Sequence, residues 1–454
     1  MLTYELKKAP GVPLYEALYR SLRADILSGN LPAGEKLPSK RALAEHLRVS
    51  KITVETAYNQ LLSEGYISSR EKVGYFVEQT QQTPAAALSY TIAPEENSTP
   101  FLDLTGNGPA HFPFSVWSKL QRQTLLDQGQ TLLNPLPHQG CRALRVAISR
   151  HLSQFRGMHT DPDNIIIGAG TDFLYNLIIQ LLGRDKIYAV EDPGYHKIRK
   201  IYTAGDVKFI NAPMDSNGVL PHLLGDARVL HISPGHHFPL GIITPLARRQ
   251  ELLAWAKQAD GYIIEDDYDS EFRFHAHPLP AMHSLDPQGR VIYINTFSKT
   301  LAPSIRVAFM VLPPALMAAF REKLGFYSCT VSSFEQYTLA RFLEEGYFEK
   351  HINRMRRFYH SRRDKVLSAL KNCPWADKIT VLEENAGLHF LLQVNSARSD
   401  EDLAELWAQA GIRVTPLSRY YQGEQPQHRD PCLLINYSGL DEGQLYRLNQ
   451  LPKI

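Results

Sequence analysis

Apolar residues recur at every fourth position through Leu14, Leu18, Leu22 and Ile26, one face of a helix that Gly29 is placed to end. After the loop LPAGEKLPS, Ser39 stands where a cap would start a second short helix with Leu43, Ala44 and Leu47 turned inward. Ser50 is placed to cap a third helix that reaches Glu64 and is closed by Gly65. Within it Val54, Ala57, Tyr58 and Leu61 fall at i, i+3, i+4 and i+7, with Thr53, Thr56 and Gln60 on the opposite face. The stretch YISSREKVGYFV predicts two short strands joined by a basic tip that carries Arg70 and Lys72. Two short helices across a tight turn, followed by such a hairpin, make a winged helix-turn-helix. Its small polar helix face and basic tip suit base edges and phosphates.

Residues 79–100 change character. They hold no lysine or arginine and are dominated by proline, threonine, glutamine and alanine, which predicts a flexible linker between a head at 1–78 and a body at 101–454. In the body, DNIIIGAGTDFLYNLIIQLLG reads as strand, glycine turn and helix, and RALRVAISRHLSQFR (142–156) as an amphipathic helix. KIYAVEDPGY, ARVLHISPGHH, GYIIEDDYD and VIYINTFSK each run from a short apolar strand into a polar turn, with helical stretches between them. This alternation predicts an α/β unit built on a mostly parallel sheet with helices on both faces. From about residue 325 the pattern shifts to a long basic helix and weaker strands, a smaller α+β lobe.

Ligands of such sheets bind at the carboxyl ends of the strands, and the polar clusters lie there. Gly170 and Thr171 open a helix whose backbone N–H groups suit a phosphate. Tyr195 offers a flat ring at the next strand end. Glu265, Asp266, Asp267 and Asp269 crowd around Tyr268, and so many carboxylates require compensation. A metal would answer that, but the residue set makes a poor cation cage. Lys299 follows the buried run Val291–Ile294, and burial lowers a lysine's pKa, the condition for forming a Schiff base with an aldehyde. Ser298 and Arg306 flank it with phosphate-binding groups. Each feature alone has a plain explanation: a common glycine turn, a packed tyrosine, a surface lysine. Together they match pyridoxal phosphate, which has a phosphate, a flat ring, a ring nitrogen, a phenolic oxygen and an aldehyde.

Composition narrows this little. The chain of 454 residues carries a net charge of +2 and 44% hydrophobic residues, which suits a multidomain globular protein. The head holds 11 Lys+Arg against 9 Asp+Glu, so its motif argues for DNA more than its charge does. Cys141, Cys329, Cys373 and Cys432 form no CxxC pair, which fits a reducing cytosol without a zinc site or disulfide framework. No apolar signal core or membrane-length apolar run is present, so the expected location is cytoplasmic, off the membrane.

The stretch LPSKRALAEHLRVSKITVETAYNQLLSEGYI closely resembles the winged helix-turn-helix of the GntR family of bacterial regulators. That resemblance puts Arg41, Lys51 and Thr53 at DNA-contacting positions, and Ser39, Ser50, Thr56, Arg70 and Lys72 complete the expected DNA face. EDDYDSEFRF, with Ser298-Lys299 and Arg306 seven residues on, resembles fold-type I aminotransferases. The whole chain resembles the MocR/GabR group of regulators. By that resemblance Lys299 holds pyridoxal phosphate as an internal aldimine and Asp266 pairs with its ring nitrogen. Tyr268 serves the phenolic oxygen, Tyr195 stacks on the ring, and Gly170, Thr171, Ser298 and Arg306 hold the phosphate. His236 or His237 lies on the phenolic side, where the enzymes usually have an asparagine.

The pattern departs from the enzymes in two places. Leu434 stands where aminotransferases carry the arginine for the substrate carboxylate, which leaves Arg419 as a substitute; Pro135 stands near the position of a tyrosine that reaches the neighbouring subunit's phosphate. The expectation is a homodimeric regulator that binds a double-stranded operator and senses an amine, an amino acid or pyridoxal phosphate itself, with little sustained transamination. The alternatives are a working aminotransferase with an accessory DNA-binding head, and a head used only for protein contacts.

Overall fold

The computed structural model describes residues 2–4, 13–79, 102–106, 111–272, 279–384, 387–423 and 430–453. The chain divides into two compact units, Met1–Asn97 and Ser98–Ile454. Apart from Gln79, the expected linker lies outside the described residues.

In the head, helices α1 (Leu14–Ser28), α2 (Lys40–Leu47) and α3 (Lys51–Ser63) precede the antiparallel hairpin β1 (Ile67–Arg70) and β2 (Gly74–Val77). Leu18, Leu22 and Ile26 of α1 meet Val54, Tyr58 and Leu61 of α3 in one core. Gly29 ends α1 in the left-handed conformation. Ser39 and Ser50 accept the N–H groups of Ala42 and Thr53, so both predicted caps form. The third helix stops at Ser63, and Glu64 is its cap.

The body begins with α4 (Phe114–Gln128) and α5 (Arg142–Arg156), which lead into a sheet of eight strands. In chain order these are β3 (Ile165–Gly168), β4 (Tyr188–Asp192), β5 (Phe209–Asp215), β6 (Gly218–Val219), β7 (Val229–Ile232), β8 (Tyr262–Asp266), β9 (Val291–Thr296) and β10 (Ala308–Val311). Across the sheet the order is β3-β10-β9-β8-β7-β4-β5-β6. The neighbours from β9 through β5 are parallel, while β10 runs against both β9 and β3. Buried cores line both faces, as continuous apolar strands require. The register aligns Gly168 with Ala308, Ala308 with Thr296, and Ile294 with Asp266. The polar turns after β3, β8 and β9, and the residues just before β10, therefore emerge side by side.

The small lobe is an antiparallel sheet of β11 (Ile379–Leu382), β12 (His389–Val394), β13 (Thr415–Pro416) and β14 (Cys432–Asn436), in the order β11-β12-β14-β13. The long helix Tyr347–Lys371 and the helix Asp400–Gln409 contribute Val366, Leu370, Leu403 and Trp407 to its core. Two boundaries differ from expectation. Helix Ser333–Glu344, placed by sequence in the small lobe, packs Leu339 and Phe342 into the large-domain core with Leu144 and Ile148. Conversely, Leu102–Asp103 pairs in parallel with Ile412–Arg413, and Leu102 and Leu104 are buried in the small-lobe core. Local apolar pattern does not say which of two cores a segment joins. Among the described residues no helix is long and apolar enough to cross a membrane.

Candidate functional site

The strand ends enclose a cavity of about 370 Å³, lined among others by Thr171, Tyr175, Tyr195, Asp266, Tyr268, Ser298, Lys299, Arg306, Tyr420 and Asn436. Thr171, Tyr195, Asp266 and Lys299, which the sequence placed on four separate turns, thus line one cavity.

Three of the four crowded carboxylates have partners for their charge or lone pairs. Glu265 accepts the backbone N–H groups of Met282 and His283, at 2.9 and 3.0 Å. Asp267 accepts the Tyr293 hydroxyl and forms a buried ion pair with Arg156 at 2.8 Å. Asp269 lies 2.8 Å from Nδ1 of His236. Asp266 is the member of the four that lines the cavity. Tyr175 donates its hydroxyl to Oδ2 of Asp266, and Oδ1 has no hydrogen-bond partner among the described residues. Burial pushes the Asp266 carboxyl up to about 7, a cost that a cationic partner at Oδ1 removes. His231 lies 4.0 Å from Oδ2, but burial pushes it down to about 3, so it supplies no charge.

Lys299 is partly buried and its amine is held below the ordinary lysine value, chiefly by desolvation; Asp269 and Asp266 oppose that shift. A lowered pKa raises the neutral, nucleophilic fraction. Tyr268 places its hydroxyl 3.3 Å from Nδ1 of His236. His237 is also buried, and desolvation pushes it down to about 3. Gly387 makes room for His236: a Cβ there would stand 1.8 Å from Cε1 of the imidazole.

The glycine turn opens α6 (Thr171–Leu182), and a helix N-terminus of this kind suits an anion. Gly170 has φ +87°, and a Cβ on it would stand 2.3 Å from Nη2 of Arg306. Arg306 reaches Asp172 at 3.0 Å, and the Ser298 hydroxyl donates to the Ile305 carbonyl at 2.9 Å. Tyr195 is 47% exposed at the mouth, edge-on to Phe238.

Arg419 does not line the cavity. Its guanidinium makes two hydrogen bonds to Glu401, at 2.8 and 2.6 Å, on the outside of the lobe. Leu434 is buried with Leu240, Leu391 and Leu417, so an apolar cluster fills the place expected of a carboxylate-binding arginine. Tyr175 went unnoticed in the sequence reading. The available signal is its position four residues after Thr171, on the same helix face.

On the head, Arg41, Ser39, Ser50, Lys51, Arg70 and Lys72 are exposed, while Thr53 and Thr56 are half-buried. Arg70 lies over the Phe76 ring at 4.4 Å, and Lys72 adopts φ +60° at the hairpin tip. Glu55, whose charge opposes DNA binding, is paired with Lys40 at 2.8 Å. Ile52 and Asn59 are exposed on the same side of α3 as half-buried Thr56, and the sequence pattern singles out neither of the two.

Comparison with known proteins joins the two units. Residues 14–77 match the model of bacterial regulatory proteins of the gntR family, and residues 99–450 match aminotransferase class I and II. The HTH-type transcriptional regulator YhdI of Bacillus subtilis is 37% identical over 97% of this chain and 95% of its own length. The probable rhizopine catabolism regulatory protein MocR of Rhizobium meliloti is 33% identical over 96% of this chain and 92% of its own. A Pyrococcus horikoshii kynurenine aminotransferase structure superposes with a TM-score of 0.68 at 25% identity, covering 78% of this chain and 90% of that one. The chain belongs to the MocR-type HTH transcriptional regulators, in which a GntR-family helix-turn-helix is joined to an aminotransferase class I and II domain.

Proposed function

We propose that the protein is a cytoplasmic, homodimeric regulator that binds an operator through residues 13–78 and responds to an amine through pyridoxal phosphate held in the body. The observation that carries this reading is the unpartnered Oδ1 of buried Asp266, which lines the same cavity as Lys299 with its lowered pKa. When bound, the cofactor supplies an aldehyde that condenses with primary amines and a ring that withdraws electrons. Asp266 would stabilise a protonated ring nitrogen, and Lys299 would hold the aldehyde carbon. Tyr268, oriented by His236, would serve the phenolic oxygen, and Tyr195 would cover one ring face. Gly170, Thr171, Ser298 and Arg306 would hold the phosphate.

An effector amine competes with Lys299. The freed Lys299 amine would then lie where burial disfavours its charged form, and a change in its protonation would bias the arrangement of the surrounding lobe. Regulation requires that the DNA-bound and free states bind the effector with different affinities. Sustained transamination is not expected, because Leu434 lies in an apolar cluster and Arg419 is tied to Glu401.

Titrating the purified protein with pyridoxal phosphate tests the reading. A visible absorption band should form and shift with an effector amine, and Lys299→Ala should lack it. A band retained in the variant sinks the role of Lys299. Steady keto-acid formation at about 1–10 per second would favour the enzyme instead.

A further inference from the structure

The first turn of α3 carries a side chain for which the fold of the head has no use. Ile52 is 73% exposed, more than any other large apolar side chain in the described head. Its row points away from the buried face formed by Val54, Ala57, Tyr58 and Leu61. The polar groups around it are already engaged. The Thr56 hydroxyl donates to the Ile52 carbonyl at 2.9 Å, and the Ser50 and Thr53 hydroxyls share a hydrogen bond of 2.8 Å. Glu55 is paired with Lys40 at 2.8 Å, and Lys51 is an exposed cation beside the isoleucine.

We propose that Ile52 is a specificity-determining residue that packs on a thymine C5 methyl in the major groove. The inference rests on the DNA-binding reading above. An aliphatic side chain neither donates nor accepts hydrogen bonds, so it cannot read the polar base edges. The thymine methyl is the apolar group that a base pair presents in the major groove. The start of the second helix of a helix-turn-helix is the part that approaches base edges. The hydroxyls engaged within α3 are left to buttress the turn. Ile52 therefore sets a thymine preference at one position of each half-site, and a cytosine there would leave its amino group against a hydrocarbon.

The test uses the full-length protein. Sites are first selected from a random duplex pool, and each thymine of the selected site is then replaced by deoxyuridine, which lacks only the methyl group. One thymine in each half-site should weaken binding about fourfold on replacement, the effect of one buried methyl-sized group. Ile52→Ala should abolish that penalty and accept other bases there, with an unchanged unfolding midpoint. The inference is overturned if no thymine is sensitive, or if the penalty is the same in Ile52→Ala. Should the wild-type protein select no sequence at all, the DNA-binding reading fails first and the inference with it.

Discussion

Tyr175 holds Oδ2 of Asp266 and leaves Oδ1 of the same buried, cavity-lining carboxylate without a partner among the described residues. The helix that begins at Thr171 thus also holds the acid, so one element contributes both Thr171 and the Tyr175–Asp266 contact to the cavity.

The Asp266 arrangement has a pH signature. Its carboxyl is pushed up from 3.8 to about 7, mainly by burial, so the folded cofactor-free protein holds this proton more tightly than the unfolded chain. The resulting stability is fully present below pH 3.8 and is lost as pH rises through about 7. Asp266→Asn removes the titration. The cofactor-free variant should gain roughly 2–4 kcal/mol over wild type between about pH 4 and about pH 8, measured by urea unfolding. An equal difference at both pH values would contradict the assignment.

Gly170→Ala should weaken cofactor binding at least about tenfold. A Cβ would collide with the Arg306 guanidinium at a backbone angle that L-residues rarely adopt. Displacing a charge-assisted contact costs about 1.5–3 kcal/mol. Fluorescence titration with pyridoxal phosphate reads this directly, and Gly34→Ala, a left-handed glycine of the head with open space around it, controls for backbone strain alone.

Arg156 answers a different carboxylate. Arg156→Ala strands buried Asp267 and should cost about 3–5 kcal/mol in urea unfolding. The double variant Arg156→Leu with Asp267→Asn should recover most of that loss. If the double variant is as unstable as the single one, the pair is not a local ion pair.

Leu434→Arg separates regulator from enzyme. Placing an unpaired guanidinium among Leu240, Leu391 and Leu417 should destabilise the fold by about 3–5 kcal/mol. It should not create turnover with amino acids. A stable variant that transaminates would show that the small lobe keeps a latent carboxylate site.

Lys299, Asp266, Ser298 and Arg306 were legible because strand-end chemistry survives in the local pattern: an apolar run, then a few polar residues of definite type. Tyr175 was not, since its partner Asp266 lies 91 residues away, and only the packing of the helix Thr171–Leu182 on the sheet brings them together. Ile52 escaped for another reason. An apolar residue on an outer face looks like noise until its exposure is seen, although the core face at Val54 and Tyr58 already turns position 52 outward. The helix Ser333–Glu344 was assigned to the wrong lobe because amphipathic spacing fixes an apolar face and not the core that receives it.

The pairing of Leu102–Asp103 with Ile412–Arg413 carries a mechanical consequence. Leu102 N donates to the Gly411 carbonyl, Leu104 N to the Arg413 carbonyl, and Asn436 N to the Leu104 carbonyl, at 2.9, 2.8 and 2.8 Å. The first described residues after the linker are thus moored to the small lobe, one of them next to Asn436 on the cavity wall. Any movement of that lobe therefore carries Leu102–Leu104 with it.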